Sequence, residues 1–348
     1  MAASQARTLL RLARVQTMAL TALAPVIGAA VFYAASGAGA WGHWPDLLLL
    51  SMTGACLHVF GFVLNDYIDM RIDRLSNELR QRPLVSGSIT PSAALGFALG
   101  GLAMMIGLGY LLVMGHPRAV VVLLLAAVLA TIYNLMSKAL AGMDIFVASA
   151  IFFLCVFGAV SAAPDNEILY VTRLGWVVCT LGGLEVLFMN VVAGGLKDID
   201  HDSKGGGKTI AVALGCRVPG PDNRMEISAP FRYLAYLIQA VFLLFLFAPF
   251  VLGLVHPPFN QFVIVLTILL VLSAVMLLIS MRLLNLTAFV RGDIRKLIGS
   301  HYILNFILVP VMLFTYNPYI LLLAIVPPLG FVLSNAALAG SAMKPKTM

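Results

Sequence analysis

Charge is scarce in this chain: Asp, Glu, Lys and Arg make up 11% of the 348 residues, against about 25% in ordinary soluble proteins. What the chain has instead is apolar, 61% hydrophobic against roughly 45–50% in soluble proteins, which excludes a water-soluble fold of ordinary composition. Cysteine is equally sparse. Cys56, Cys155, Cys179 and Cys216 show no CxxC spacing, so neither a disulfide framework nor a zinc site is expected. Low-complexity tracts and lipidation signals are also missing. The net charge of +7 does not indicate nucleic acid, because the basic residues are dispersed over many loops rather than gathered into a stripe.

The scarce charges lie in short blocks between long apolar runs. A bilayer core about 30 Å thick needs roughly 20 apolar residues per helix, and ten runs approach that length. They fall near residues 13–35, 45–64, 92–114, 119–137, 143–163, 173–196, 231–254, 261–284, 298–314 and 319–338. The expected fold is therefore all-α: a polytopic transmembrane helical bundle of nine to ten spans whose cytoplasmic loops cap a cavity. With the N-terminus inside, every Lys and Arg except Arg118 and Arg173 falls on the cytoplasmic side. That asymmetry sets the orientation and puts both termini in the cytoplasm. A single membrane-embedded domain is expected over 1–348, in a plasma (inner) membrane, with 315–348 as an additional C-terminal helix and tail.

Two acidic segments carry chemistry. The first, NDYIDMRID from Asn65 to Asp73, continues the second span. Steps of four put Asn65, Asp69 and Asp73 along one helix face, with Asp66 beside them. Carboxylates at the C-terminal end of a helix oppose its dipole; divalent cations among the oxygens offset that cost, and Mg²⁺ favours such oxygen ligands. The second, KDIDHDSKGGGKT from Lys197 to Thr209, ends the sixth span. Asp198 and Asp202 share a face while Asp200 points elsewhere. The GGGKT run lacks the first glycine of a P-loop and follows no strand; its glycines suit a mobile hinge or a phosphate contact equally.

The order NDxxDxxxD, then RPLVSG with Arg82, Pro83 and Gly87, then DxxxD at Asp198 and Asp202 resembles the UbiA superfamily of intramembrane prenyltransferases over roughly residues 10–310. YNLMSK, Tyr133 to Lys138, is similar to a Tyr-and-Lys segment of that family, with one residue more between the pair than the usual YxxxK. The family usually has nine spans, one fewer than counted here. The resemblance implies transfer of a prenyl group from a prenyl diphosphate, dependent on two Mg²⁺ ions that Mn²⁺ can replace.

In that reading Asp66, Asp69, Asp73, Asp198 and Asp202 are the catalytic carboxylates, and Asn65, Asp69, Asp73, Asp198 and Asp202 hold the metal. Asn65, Arg82, Lys138, Lys197 and Lys204 contact the diphosphate, and Tyr133, Asn134 and Asn190 line the substrate cavity. An apolar tunnel would take the isoprenoid tail from the lipid bilayer. The acceptor stays open among aromatic and lipid compounds of quinone, chlorophyll-like or prenylated glycerol phosphate synthesis, and RPLVSG looks more like members that use geranylgeranyl-type donors. Some relatives instead transfer phosphoribose to a prenyl phosphate. A transporter is the competing class, but it predicts acids deep in the spans, where this chain places only Glu185. That residue reads first as a neutral or hydrogen-bonded interior group, and His58 as a packing residue. Asp144 stands where it could meet Lys138.

Overall fold

The computed structural model describes residues 2–37, 40–74, 77–114, 116–220, 222–316 and 318–340; the end of the expected tail, 341–348, lies outside them. An amphipathic helix α1 (Ala2–Leu12) leads into α2 (Met18–Ala35), α3 (Trp44–Asp73), α4 (Pro91–Leu112), α5 (Pro117–Met136), α6 (Asp144–Ala162) and α7 (Arg173–Phe188). The last passes through a π-helical stretch, Met189–Gly194, into the short helices α8 (Gly195–Lys197), α9 (Ile199–Asp202) and α10 (Ile210–Ala213). Four longer helices complete the bundle: α11 (Ala229–Val251), α12 (Phe259–Leu284), α13 (Arg291–Leu313) and α14 (Leu322–Ala339). Among the described residues, ten helices are long and apolar enough to cross a membrane.

The expected spans are all present, with two differences. Span two does not stop near residue 64: α3 runs for 30 residues, roughly 45 Å at 1.5 Å per residue, well beyond a hydrocarbon core of about 30 Å. The surplus turns carry Asn65 to Asp73, so the first acidic segment is a rigid helical extension rather than a loop. Span nine is fuller than expected. It begins at Arg291 and covers 23 residues, because Asp293, Arg295 and Lys296 make its opening turns helical ahead of the apolar stretch.

Interior and perimeter divide by residue size and polarity. Helices α6, α7 and α13 have more than half of their apolar windows inside the bundle, whereas α4 and α12 bury about a fifth and present leucines and valines outward, as Leu99, Leu111, Val271 and Leu278 do. One apolar cluster joins α2 through α7 to α11, α12 and α13. A second gathers Phe188, Val192 and Leu196 against Phe231, Leu283 and Ile294, beneath the second acidic segment.

Close helix approach within lipid relies on small residues rather than on a hydrophobic driving force. A Cβ on Gly158 of α6 would stand 1.8 Å from the Pro25 carbonyl oxygen of α2, and one on Gly28 would stand 2.1 Å from the Cys155 carbonyl oxygen. These two glycines set the spacing of the central pair α2 and α6. Gly158→Ala should lower stability by about 1–3 kcal/mol through overpacking, while Gly100→Ala, where nothing lies within 4 Å, should leave it unchanged or slightly higher. Thermal unfolding of the two purified variants in one detergent checks this.

Candidate active site

The extended end of α3 and the end of α7 meet at one end of the bundle. Between them lies a cavity of about 270 Å³, lined by Asn65, Asp69 and Asp73 from α3 and by Lys197, Asp198 and Asp202 from the second segment. Arg82, Tyr133, Asn134, Lys138, Asp144 and Asn190 line it too. Away from the charges its wall turns apolar, with Leu20, Leu57, Val147, Ile151 and Val186.

The one-face periodicity of Asn65, Asp69 and Asp73 explains their joint exposure to the cavity. Asp66, one step round the helix, is not among the lining residues. Its carboxylate pairs with Arg14 and, at 3.3 Å, with Arg82. Arg82 also pairs with Asp73, so one guanidinium ties the RPLVSG turn to two of the three aspartates. Burial alone lowers the affinity of Arg82 for its proton, but the charges of Asp66, Asp73 and Asp198 outweigh it and raise the pKa further. For Asp73 burial raises the pKa against the opposing pull of Arg82.

On the opposite wall, Lys138 Nζ donates to Asp202 Oδ1 at 2.7 Å, and Lys197 Nζ lies 3.1 Å from Asp198 Oδ2. Burial lowers the Lys138 pKa less than Asp202, Asp198 and Asp69 raise it, so the ammonium stays charged. The extra residue in YNLMSK relative to YxxxK does not keep Lys138 from the cavity. Asp200 points away and pairs with Arg291 of α13, whose Nε also donates to the Lys197 carbonyl at 3.2 Å.

Tyr133 donates from its hydroxyl to Asn190 Oδ1 at 3.2 Å, and Asn190 Nδ2 donates to the Val186 carbonyl at 2.9 Å. Asn190 belongs to the π-helical stretch. Such wide turns recur at functional sites because they redirect side chains within a helix. Asn134 Nδ2 donates to the Gly61 carbonyl at 2.9 Å, fixing α5 against α3.

Lys204 is exposed and does not line the cavity, so it is not brought together with the others. The glycine run closes a turn: Gly206 takes a φ of 74°, the left-handed region glycine favours, and the Gly207 amide donates to the Asp202 carbonyl at 2.8 Å. Thr209 and Ile210, not the glycines, reach the cavity.

Sequence reasoning missed Arg14, which reads as one of three basic residues ahead of an apolar run. In the fold its backbone is left-handed, with φ 46°. That turn swings the guanidinium inward, 5.2 Å from the centre of the Phe62 ring and against Asp66. His58 is buried, within 3.3 Å of the Arg14 carbonyl through Nε2 and 3.2 Å of Thr21 Oγ1 through Nδ1. A carbonyl only accepts, so Nε2 carries the proton and Nδ1 accepts from Thr21. His58 thus holds the Arg14 turn as well as lining the cavity. No local sequence signal predicts either partnership.

Among the described residues, no three His, Cys, Asp or Glu side chains stand close enough to enclose an ion by themselves. Mg²⁺ does not require such a cage. It keeps waters and commonly binds through one or two carboxylates plus substrate phosphates, and Asp69, Asp73, Asp198 and Asp202 with Asn65 supply that oxygen set across one cavity. The donor chemistry therefore fits a hard divalent ion shared with an anionic substrate.

Known proteins share the fold. A UbiA homologue from Aeropyrum pernix K1 superimposes with a TM-score of 0.61 at 17% identity, covering 92% of this chain and 98% of that one. A digeranylgeranylglyceryl phosphate synthase matches at 0.60 and 16%, covering 89% and 97%. A UbiA homologue from Archaeoglobus fulgidus, bound to GPP and Mg²⁺, matches at 0.58 and 16%, covering 87% and 99%. At these identities the likeness establishes the fold. In sequence, 79 residues are 38% identical to a 4-hydroxybenzoate octaprenyltransferase from Pseudoalteromonas atlantica (strain T6c / ATCC BAA-1087). That stretch spans 22% of this chain and only 26% of the relative. Residues 22–290 match the profile of the UbiA prenyltransferase family across more than half of the chain, and the chain belongs to that family.

Proposed function

We propose that the protein transfers a prenyl group from a prenyl diphosphate to an aromatic or lipid acceptor, in a reaction dependent on Mg²⁺. The observation that carries this reading is the convergence of Asn65, Asp69 and Asp73 with Asp198 and Asp202 on one cavity that also holds Arg82, Lys138 and Lys197. Carboxylates without cations would repel a diphosphate, and cations without carboxylates would not hold a divalent ion. Both kinds face the same space. The sequence of the octaprenyltransferase relative and the GPP and Mg²⁺ bound to the A. fulgidus homologue support the same class of substrate.

Two Mg²⁺ ions at Asn65, Asp69, Asp73, Asp198 and Asp202, replaceable by Mn²⁺, would neutralise the diphosphate and stabilise it as a leaving group. The chain's own groups do the rest. Lys138, held charged by Asp202, and Arg82, held by Asp66 and Asp73, are aimed donors for phosphate oxygens at no reorganisation cost. Tyr133, Asn134 and Asn190 form the polar rim where the reacting carbon leaves the charged region. Leu57, Val147, Ile151 and Val186 exclude water there, which protects a reactive allylic centre from hydrolysis. Transferring an isoprenoid tail from lipid into this apolar part gains little free energy, so affinity rests on the diphosphate end.

We place the charged end of the bundle, and with it both termini, in the cytoplasm at the plasma membrane, on the distribution of Lys and Arg. Green fluorescent protein fused to the C-terminus should fluoresce, and an alkaline phosphatase fusion at the same point should be inactive; the reverse pair would invert the topology.

Diphosphate release from geranyl diphosphate by purified protein should stop on chelation and return with Mg²⁺. Asp69→Ala and Asp198→Ala should each lower it by at least about 100-fold, with elution from size exclusion unchanged. Lys138→Met should cost about 10- to 100-fold, the worth of a charge-assisted hydrogen bond, whereas Lys204→Ala, exposed and outside the cavity, should stay within about twofold. Equal effects of the two lysine changes would reject the assignment of Lys138.

A further inference from the structure

Farther into the bundle, a second and smaller cavity of about 60 Å³ lies among α2, α6, α7, α13 and α14. Leu20 and Ile151 line both cavities, so the two adjoin through a shared apolar wall. Its lining is aliphatic and aromatic apart from Cys155 and two side chains that bear full hydrogen-bonding groups, Glu185 of α7 and Asn305 of α13. Both are over nine-tenths buried, at 6% and 3% exposure. Asn305 faces Glu185 across this notch, and Glu185 Oε1 has no partner. One turn on, Pro310 offers no N–H to the Phe306 carbonyl, and both residues line the same notch.

An oxygen without a partner in an apolar interior is destabilising, and a ligand donor would satisfy it. The outer wall of the notch is a helix at the perimeter of the bundle. Helix α14 packs on α13, on α2 and on the turn at Val15–Thr17, closing the seam between the first and ninth crossings. It contributes Leu323 to the notch while its neighbours Leu322 and Ile325 are exposed on the outside of the bundle. Asn305, Phe306, Val309, Pro310 and Leu323 all lie beyond residues 22–290, so the family match does not account for this wall.

We propose that the Glu185–Asn305 notch is a binding subsite for the hydroxyl group of a membrane-dissolved, largely apolar molecule, a phenol or lipid alcohol. Glu185 Oε1 accepts a hydrogen bond from the hydroxyl, Leu23, Ile27, Val178 and Phe306 surround that end, and the rest of the apolar body lies along Leu20 and Ile151 towards the first cavity. Glu185 stands 13 residues before Asp198, roughly 20 Å along the helix, so it cannot share the ions or the diphosphate. As a station for the acceptor on its way to the first cavity, the notch rests on the transferase reading; as a binding site it does not.

The test compares radiolabelled 4-hexylphenol with 4-hexylanisole, the same body without the donor, binding to the protein in lipid nanodiscs without Mg²⁺ or prenyl diphosphate, with empty nanodiscs as blank. Wild-type protein should prefer the phenol by about tenfold, the worth of one buried hydrogen bond. Glu185→Leu should abolish the preference, Glu185→Gln, which keeps an acceptor oxygen, should retain most of it, and Leu323→Trp should weaken binding of both probes. Equal binding of the two probes to wild-type protein, as a notch that holds only water would give, overturns the proposal without recourse to any variant. So does a preference that survives Glu185→Leu. Metal-dependent diphosphate release by a protein with no phenol preference would leave the transferase reading standing and remove the notch. A phenol preference in a protein that releases no diphosphate would do the opposite.

Discussion

Arg82 held between Asp66 and Asp73 is the contact on which the charged end of this protein depends. All three side chains are at least nine-tenths buried, and charges taken out of water are tolerated only when paired and hydrogen-bonded. Removing one partner from such a set costs about 3–5 kcal/mol, because the other charge is left stranded. Arg14 extends the network from the start of the bundle, so α2, α3 and the turn after α3 share one electrostatic knot. Pairing of this kind adds little net stability, but it fixes which way the helices face. Asp69 and Asn65 are thereby left directed at the cavity.

The second wall is built differently. The end of α7 opens into a π-helical stretch and then breaks near Asp198, so backbone irregularity rather than a rigid extension brings Asp198 and Asp202 round to face α3. The irregular segment is held at both ends. Tyr133 binds Asn190 on one side, and Arg291 binds Asp200 and the Lys197 carbonyl on the other. Cations on this wall, Lys138 and Lys197, each lie against one of its carboxylates. The two walls thus bring balanced charge to one site, an arrangement in which an anion and its metal can both be received with little rearrangement.

Below the charges, the bundle is packed by its smallest residues. Gly28 and Gly158 bring α2 and α6 almost to backbone contact, just beyond Ile27 and Cys155, which line the apolar notch. Helix α14 then covers the seam between α2 and α13. A tenth helix is consequently more than an appendage: it supplies a wall to the buried notch of Glu185 and Asn305.

Local periodicity determined the ten apolar crossings, the shared face of Asn65, Asp69 and Asp73, and the outward turn of Asp200. Each needs only the helical repeat and a count of apolar residues. The partners of these groups were beyond its reach. That Asp66 turns from the cavity to Arg14, that Lys204 stays in solvent while Lys138 enters, and that Glu185 finds Asn305 across 120 residues of chain are outcomes of helix packing. A sequence fixes which face a residue occupies on its own helix, but the neighbour opposite that face, and so the pairing of a buried charge, is chosen only when the helices dock.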